Sequence, residues 1–62
     1  MKLEEVQAQV EAIRKESLDD EAAHSMEDDL YTAVLRHHAA LGCPLATEAL
    51  KTKDIEFERW CA

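Results

Sequence analysis

The sequence has little glycine, proline or aromatic character, and these shortages exclude several kinds of site. Its 62 residues include one Gly, one Pro, one Trp, one Tyr and one Phe. A chain with a single glycine cannot form the glycine-rich loops that cradle phosphate groups. It also shows no Ser/His/Asp arrangement of the kind that supports nucleophilic catalysis. We therefore expect a protein that is not an enzyme and that uses no cofactor.

Cysteines and long apolar runs are scarce as well. The two cysteines, Cys43 and Cys61, are too few for the disulfide framework of a small secreted domain. No apolar run approaches the roughly 20 residues that a membrane span requires. The N-terminal stretch carries glutamates where a signal peptide would be apolar. The sequence therefore predicts a cytoplasmic protein with reduced thiols and no membrane association.

Basic residues are missing from residues 16–29, a segment that we call the acidic block. It holds seven acids and no Lys or Arg, whereas the rest of the chain has seven of each sign, so the block supplies the whole net charge of −7. Such a field repels nucleic acid and attracts basic protein surfaces. The simpler interpretation is a solvated face that maintains solubility. The alternative is a docking surface for a basic partner, or an acidic mimic that occupies a nucleic-acid-binding surface, through Asp19, Asp20, Glu27, Asp28 and Asp29.

Apolar residues at helical spacing predict a first helix over about residues 2–16. Four of them follow one another at spacings of 3, 4 and 3 and form one narrow stripe: Leu3, Val6, Val10 and Ile13. Two heptads are too few for a coiled coil, but the stripe must be buried against something. We expect it to be the contact surface for self-association.

The stretch from Ser17 to Leu41 contains no glycine or proline and predicts a long central helix over about residues 18–41. Ser17 is the predicted N-cap, with Asp20 at the capping-box position. Ser25 offers a second start, so a helix that breaks near His24–Ser25 is an alternative to one continuous helix. Two apolar stripes run along this segment, wider together than the single stripe of a surface helix. We expect helix 1 to pack on the first (Met26, Leu30, Ala33, Val34, His37, Leu41) and the C-terminal segment on the second (His24, Glu27, Tyr31, Leu35, His38).

The rest of the chain predicts two short helices. Gly42 suits a left-handed helix C-cap and Pro44 the first turn of a helix over about residues 44–52. Asp54 can cap a last helix over about 54–60, with Trp60 docked against the domain. The prediction is thus one all-α domain, residues 1–62, in which a helical hairpin is closed by a short C-terminal helical segment.

Histidines, cysteines and carboxylates offer a second functional hypothesis. A small metal or thiol site could use His24, Glu27, His38, Cys43 and Cys61, with His37 and Asp28 as further ligand types. Their spacings match no zinc ribbon, zinc finger or HExxH motif. Cys43 precedes Pro44 at a predicted helix N-terminus, which favours a thiolate, although a small side chain filling a tight turn is the simpler interpretation. We therefore predict no metal site.

The segment Glu27-Asp-Asp-Leu30 and the ending from Asp54 to Ala62, of the form DxxFxRWCA, resemble those of small uncharacterised proteins from bacterial and phage genomes. The resemblance covers roughly the C-terminal half of the chain. These proteins have no established activity, so the resemblance implies only a small protein and carries over no functional residue.

A chain of this length buries only about 60% of the surface that its unfolded form exposes. Proteins of this size usually need a disulfide, a metal or a partner chain for stability. The sequence therefore predicts a small acidic interaction module, a homo-oligomer that associates through apolar helix stripes.

Overall fold

The computed structural model describes residues 1–57 and is all-α over that range. The elements are α1 (Leu3–Lys15), α2 (Asp20–Ala40), α3 (Pro44–Leu50) and a 3₁₀ turn (Lys51–Asp54). The central helix α2 contacts both α1 and α3, and α3 contacts the 3₁₀ turn. The predicted architecture, a hairpin with a long central helix followed by a short helical segment, is confirmed.

The link between α1 and α2 corrects the predicted helix cap. The N-cap of α2 is Asp19, not Ser17, and its Oδ1 accepts a hydrogen bond from the backbone N–H of Ala22 at 3.1 Å. Ser17 still belongs to the preceding turn, because its N–H donates to the carbonyl of Arg14 at 3.3 Å. Asp and Ser are comparable N-caps, so the turn at the end of α1 decides between them.

The central helix is continuous through His24 and Ser25. It runs over 21 residues from Asp20 to Ala40, about 31 Å at 1.5 Å per residue. Acidic residues occupy its first turn and histidines its last turn, the arrangement that the helix dipole favours. The alternative with a break near His24–Ser25 is therefore wrong.

Gly42 ends α2 through a Schellman motif. Its φ is +94°, a left-handed conformation that costs glycine little. The N–H of Gly42 donates to the carbonyl of Ala39 at 2.9 Å, and that of Cys43 donates to the carbonyl of His38 at 3.0 Å. Pro44 then opens α3 at its first helical position. Both predictions for this corner are confirmed.

The C-terminal segment is less helical than predicted. The α-helix α3 ends at Leu50, and the chain is not helical at residues 55–57, so the predicted last helix over 54–60 is wrong for those positions. Ile55 is extended, with φ −87° and ψ +125°, and its N–H donates to the carbonyl of Thr52 at 3.1 Å. A β-branched side chain such as Ile favours this extended conformation. The predicted docking of Trp60 lies outside the described residues.

The helices form a single layer. The Cα positions extend over 36 × 33 × 10 Å. The thin dimension is smaller than the roughly 13–15 Å that the Cα atoms of two stacked helices would span, with axes 8–10 Å apart and a Cα radius of about 2.3 Å. Among the described residues the only buried hydrophobic side chain is Ala46, which is 4% exposed. The accessible surface of the chain is 5162 Å², against about 4,000 Å² expected for a folded monomer of this mass. Domains are normally built from two packed layers around one core, and residues 1–57 supply one.

Candidate functional site

A largely apolar groove lies between α1 and α2. It has a volume of about 350 Å³ and is lined by eight residues: Met1, Glu5, Val6, Gln9, Met26, Asp29, Leu30 and Ala33. Five of these are apolar, while the other three bring a carboxylate, an amide and a second carboxylate. The pairing of Val6 with Met26 and Leu30 agrees with the expectation that α1 packs on the first stripe of α2.

A second, more polar groove lies between α2 and the 3₁₀ turn. Its lining residues are Asp29, Thr32, Ala33, Arg36 and Lys53, and its volume is about 440 Å³. Asp29 and Ala33 line both grooves, so both grooves open on the same side of the layer, with α2 between them. We call this side the grooved face. It carries apolar side chains over α1 and α2 and two cations, Arg36 and Lys53, beside the second groove.

The predicted self-association stripe of α1 is divided by the structure. Val6 lines the first groove and Ile13 is half-buried, whereas Leu3 is 68% exposed and Val10 is 42% exposed. Leu3 and Val10 line neither of the two grooves. At about 100° per residue they are displaced around the helix by roughly 40–60° from Val6. Val6 and Ile13 are therefore the more covered members of the stripe, and Leu3 and Val10 are its exposed members. The role of the stripe in self-association stays a prediction.

The acidic block is exposed, and several of its carboxylates have local partners. Asp19 caps α2, the Oε2 of Glu27 accepts a hydrogen bond from the hydroxyl of Tyr31 at 3.4 Å, and the Oδ1 of Asp28 lies 3.8 Å from the Nε2 of His24. Asp20 lies exposed in the first turn. Of the five acids proposed for a basic partner, only Asp29 lines the two described grooves.

The candidate metal ligands are not gathered into one site within residues 1–57. His24 is paired with Asp28 rather than with Glu27, and the ring of His38 meets that of His37 edge-on at a centroid distance of 5.4 Å. Cys43 is a half-buried free thiol at the N-cap of α3. Over these residues no group of three or more His, Cys, Asp or Glu is placed to hold a metal ion. Cys61 lies outside the described residues.

Other residues that the sequence reasoning expected to be covered are exposed. Tyr31 of the second stripe is 59% exposed and Leu41 of the first stripe is 71% exposed. The sequence reasoning also missed the polar lining of the grooves, notably Glu5, Arg36 and Lys53. The spacing of Asp29, Ala33 and Arg36 places the three on one side of α2. That spacing could have indicated a polar face on this helix.

No helix among residues 1–57 has the length and apolar character needed to span a membrane. The chain matches no protein-family model, and neither the curated proteins nor the solved structures give a match to it.

Proposed function

We propose that this protein is a small, acidic, non-enzymatic interaction module that completes its core by associating with a second copy of itself. The observation that carries the proposal is the single-layer architecture. Within residues 1–57 one alanine is buried, while apolar side chains of every helix remain half-buried or exposed. Because apolar burial is the main favourable contribution to folding, a second layer would supply the stabilisation that one layer lacks.

The dimensions of the layer suit such a role. Each side spans 36 by 33 Å in Cα extent. A rectangle of that size is larger than the roughly 800 Å² of surface that each partner contributes to an ordinary specific interface. Fully burying one Leu or Met side chain contributes about 1.5–3 kcal/mol. A partner that covered the first groove would bury further surface of all five apolar residues that line it. A modest interface on this scale would therefore have a large effect on stability.

The proposal places the protein in the cytoplasm. It is supported by the low cysteine content. The acidic block would then maintain solubility in the associated state. A basic protein partner remains the alternative occupant, and it would be recognised through the exposed acids of α2.

The test is sedimentation equilibrium of the whole chain over a hundredfold range of concentration, with circular dichroism of the same samples. We expect a dimer or larger species whose helicity and resistance to urea rise with concentration, because an obligate oligomer gains stability by mass action. A monomer with full helicity at every concentration would overturn the proposal.

A further inference from the structure

We infer that the second copy binds to the grooved face, with the two α2 helices antiparallel about a two-fold axis near Ala33 and with Asp29 paired to the partner subunit's Arg36. This inference rests on the proposed self-association and assigns it a surface and a register. It commits to a second copy as the occupant of the apolar groove between α1 and α2.

The charges on the grooved face are complementary to themselves. Asp29 and Arg36 are exposed and line the grooves on the same side of α2. They are seven residues apart, which corresponds to about 10 Å along the helix and a rotation of only about 20°. A two-fold axis across their midpoint, near Thr32 and Ala33, brings each Asp29 opposite the partner subunit's Arg36, and so makes the pair twice. A parallel arrangement would oppose like charges, which costs binding energy.

The same arrangement brings apolar surface onto apolar surface. A two-fold axis perpendicular to α2, lying between the layers and passing near Ala33, places the C-terminal half of the partner subunit's α2 over residues 26–32, and so over the α2 side of the first groove. Met26 and Leu30 of each copy would then be covered. Ala33, close to the axis, is small enough to let the two α2 helices approach within the 8–10 Å at which packed helices lie.

The acidic block does not oppose this contact. Of its seven acids, only Asp29 lines the two described grooves, and that residue is the one with a cationic partner in the dimer. Tyr31, two residues further along, lies about 200° around α2 from Asp29, and Glu27 accepts its hydrogen bond. Except for Asp29, the like charges of the block thus lie outside the two grooves, although the net charge of the dimer is doubled.

The test is a charge-exchange experiment with Asp29→Lys, Arg36→Glu and the double variant, each measured by sedimentation equilibrium at low salt. Each single variant opposes like charges at both pairs, so we expect its dimer dissociation constant to rise at least tenfold. Each single variant turns two attractive pairs into repulsive ones, and opposed like charges weaken binding. An equimolar mixture of the two single variants restores opposite charges at both pairs, and so does the double variant. We expect both to dimerise as the native chain does.

Asp28→Lys is the matched control. It makes the same change in net charge at the neighbouring residue, which lines neither groove. We expect it to leave the dissociation constant within about threefold of the native value, because an exposed charge away from the contact acts only through the screened field. If Asp28→Lys and Asp29→Lys weaken the dimer equally, or if the mixture stays monomeric, the assigned face and register are wrong although self-association stands. A native chain that is monomeric at every concentration removes the proposed function as well.

Discussion

Replacing Leu30 or Leu3 by alanine gives the most direct measure of which apolar side chains lie in the core of the associated protein. The two leucines are the same residue type on different surfaces: Leu30 is half-buried and lines the groove between α1 and α2, whereas Leu3 is 68% exposed and lies outside both grooves. The three carbon atoms removed correspond to about 2.4 kcal/mol at 0.8 kcal/mol per buried methylene. Since about a third of Leu3 is covered, its loss should cost under about 1 kcal/mol.

Replacing Leu30 by alanine should lower the free energy of unfolding considerably more than replacing Leu3 if a second copy covers the groove. Truncation of a fully buried leucine costs about 2–5 kcal/mol, because the cavity adds to the lost transfer energy. The measurement is urea unfolding of both variants, followed by circular dichroism at two protein concentrations. We expect Leu30→Ala to lower the midpoint strongly and Leu3→Ala to lower it slightly. Equal losses in the two variants would refute the assignment of Leu30 to a covered surface.

Three further predictions concern the turns and the metal hypothesis. Gly42→Ala should lower stability by about 1–2 kcal/mol in thermal unfolding, because φ +94° is strained for an L-residue although no atom lies within 4 Å of the added Cβ; an unchanged melting temperature would contradict the left-handed cap. Asp19→Ala should cost about 1 kcal/mol through loss of its hydrogen bond to Ala22, whereas Ser17→Ala should be close to neutral, and the reverse order would restore Ser17 as the cap. Treatment with a chelator should leave both the solution mass and the helicity unchanged, and a loss of either would bring His24, His38 and Cys43 back as ligands.

The sequence predicted the elements whose signals are local. The continuous helix α2 follows from a long stretch without glycine or proline, and its end follows from Gly42 and Pro44, each with a fixed conformational preference. The choice between Ser17 and Asp19 was not local in this sense. Both can cap a helix, and the hydrogen bonds that end α1 determine which residue is placed to do so.

The candidate site was harder to predict because it depends on how the helices are arranged. The stripe of α1 is regular in sequence, but the packing of α1 on α2 brings Val6 into the groove and leaves Leu3 and Val10 outside it. Similarly, Arg36 and Lys53 meet beside one groove only because the chain reverses at Gly42. No periodicity within a single helix contains that information.

A layer one helix thick has a second surface, and this limits what kind of assembly the protein can form. A two-fold contact on the grooved face leaves the opposite side of each copy exposed, including Tyr31. If those sides also met, every copy would be bivalent, and pairs would join into an open-ended stack instead of a closed dimer. Glu27 lies one helical turn from Tyr31 and shares its hydrogen bond, so mutual repulsion between acidic blocks would act on that second contact. The clustering of negative charge in residues 16–29 would then prevent dimers from stacking into a polymer.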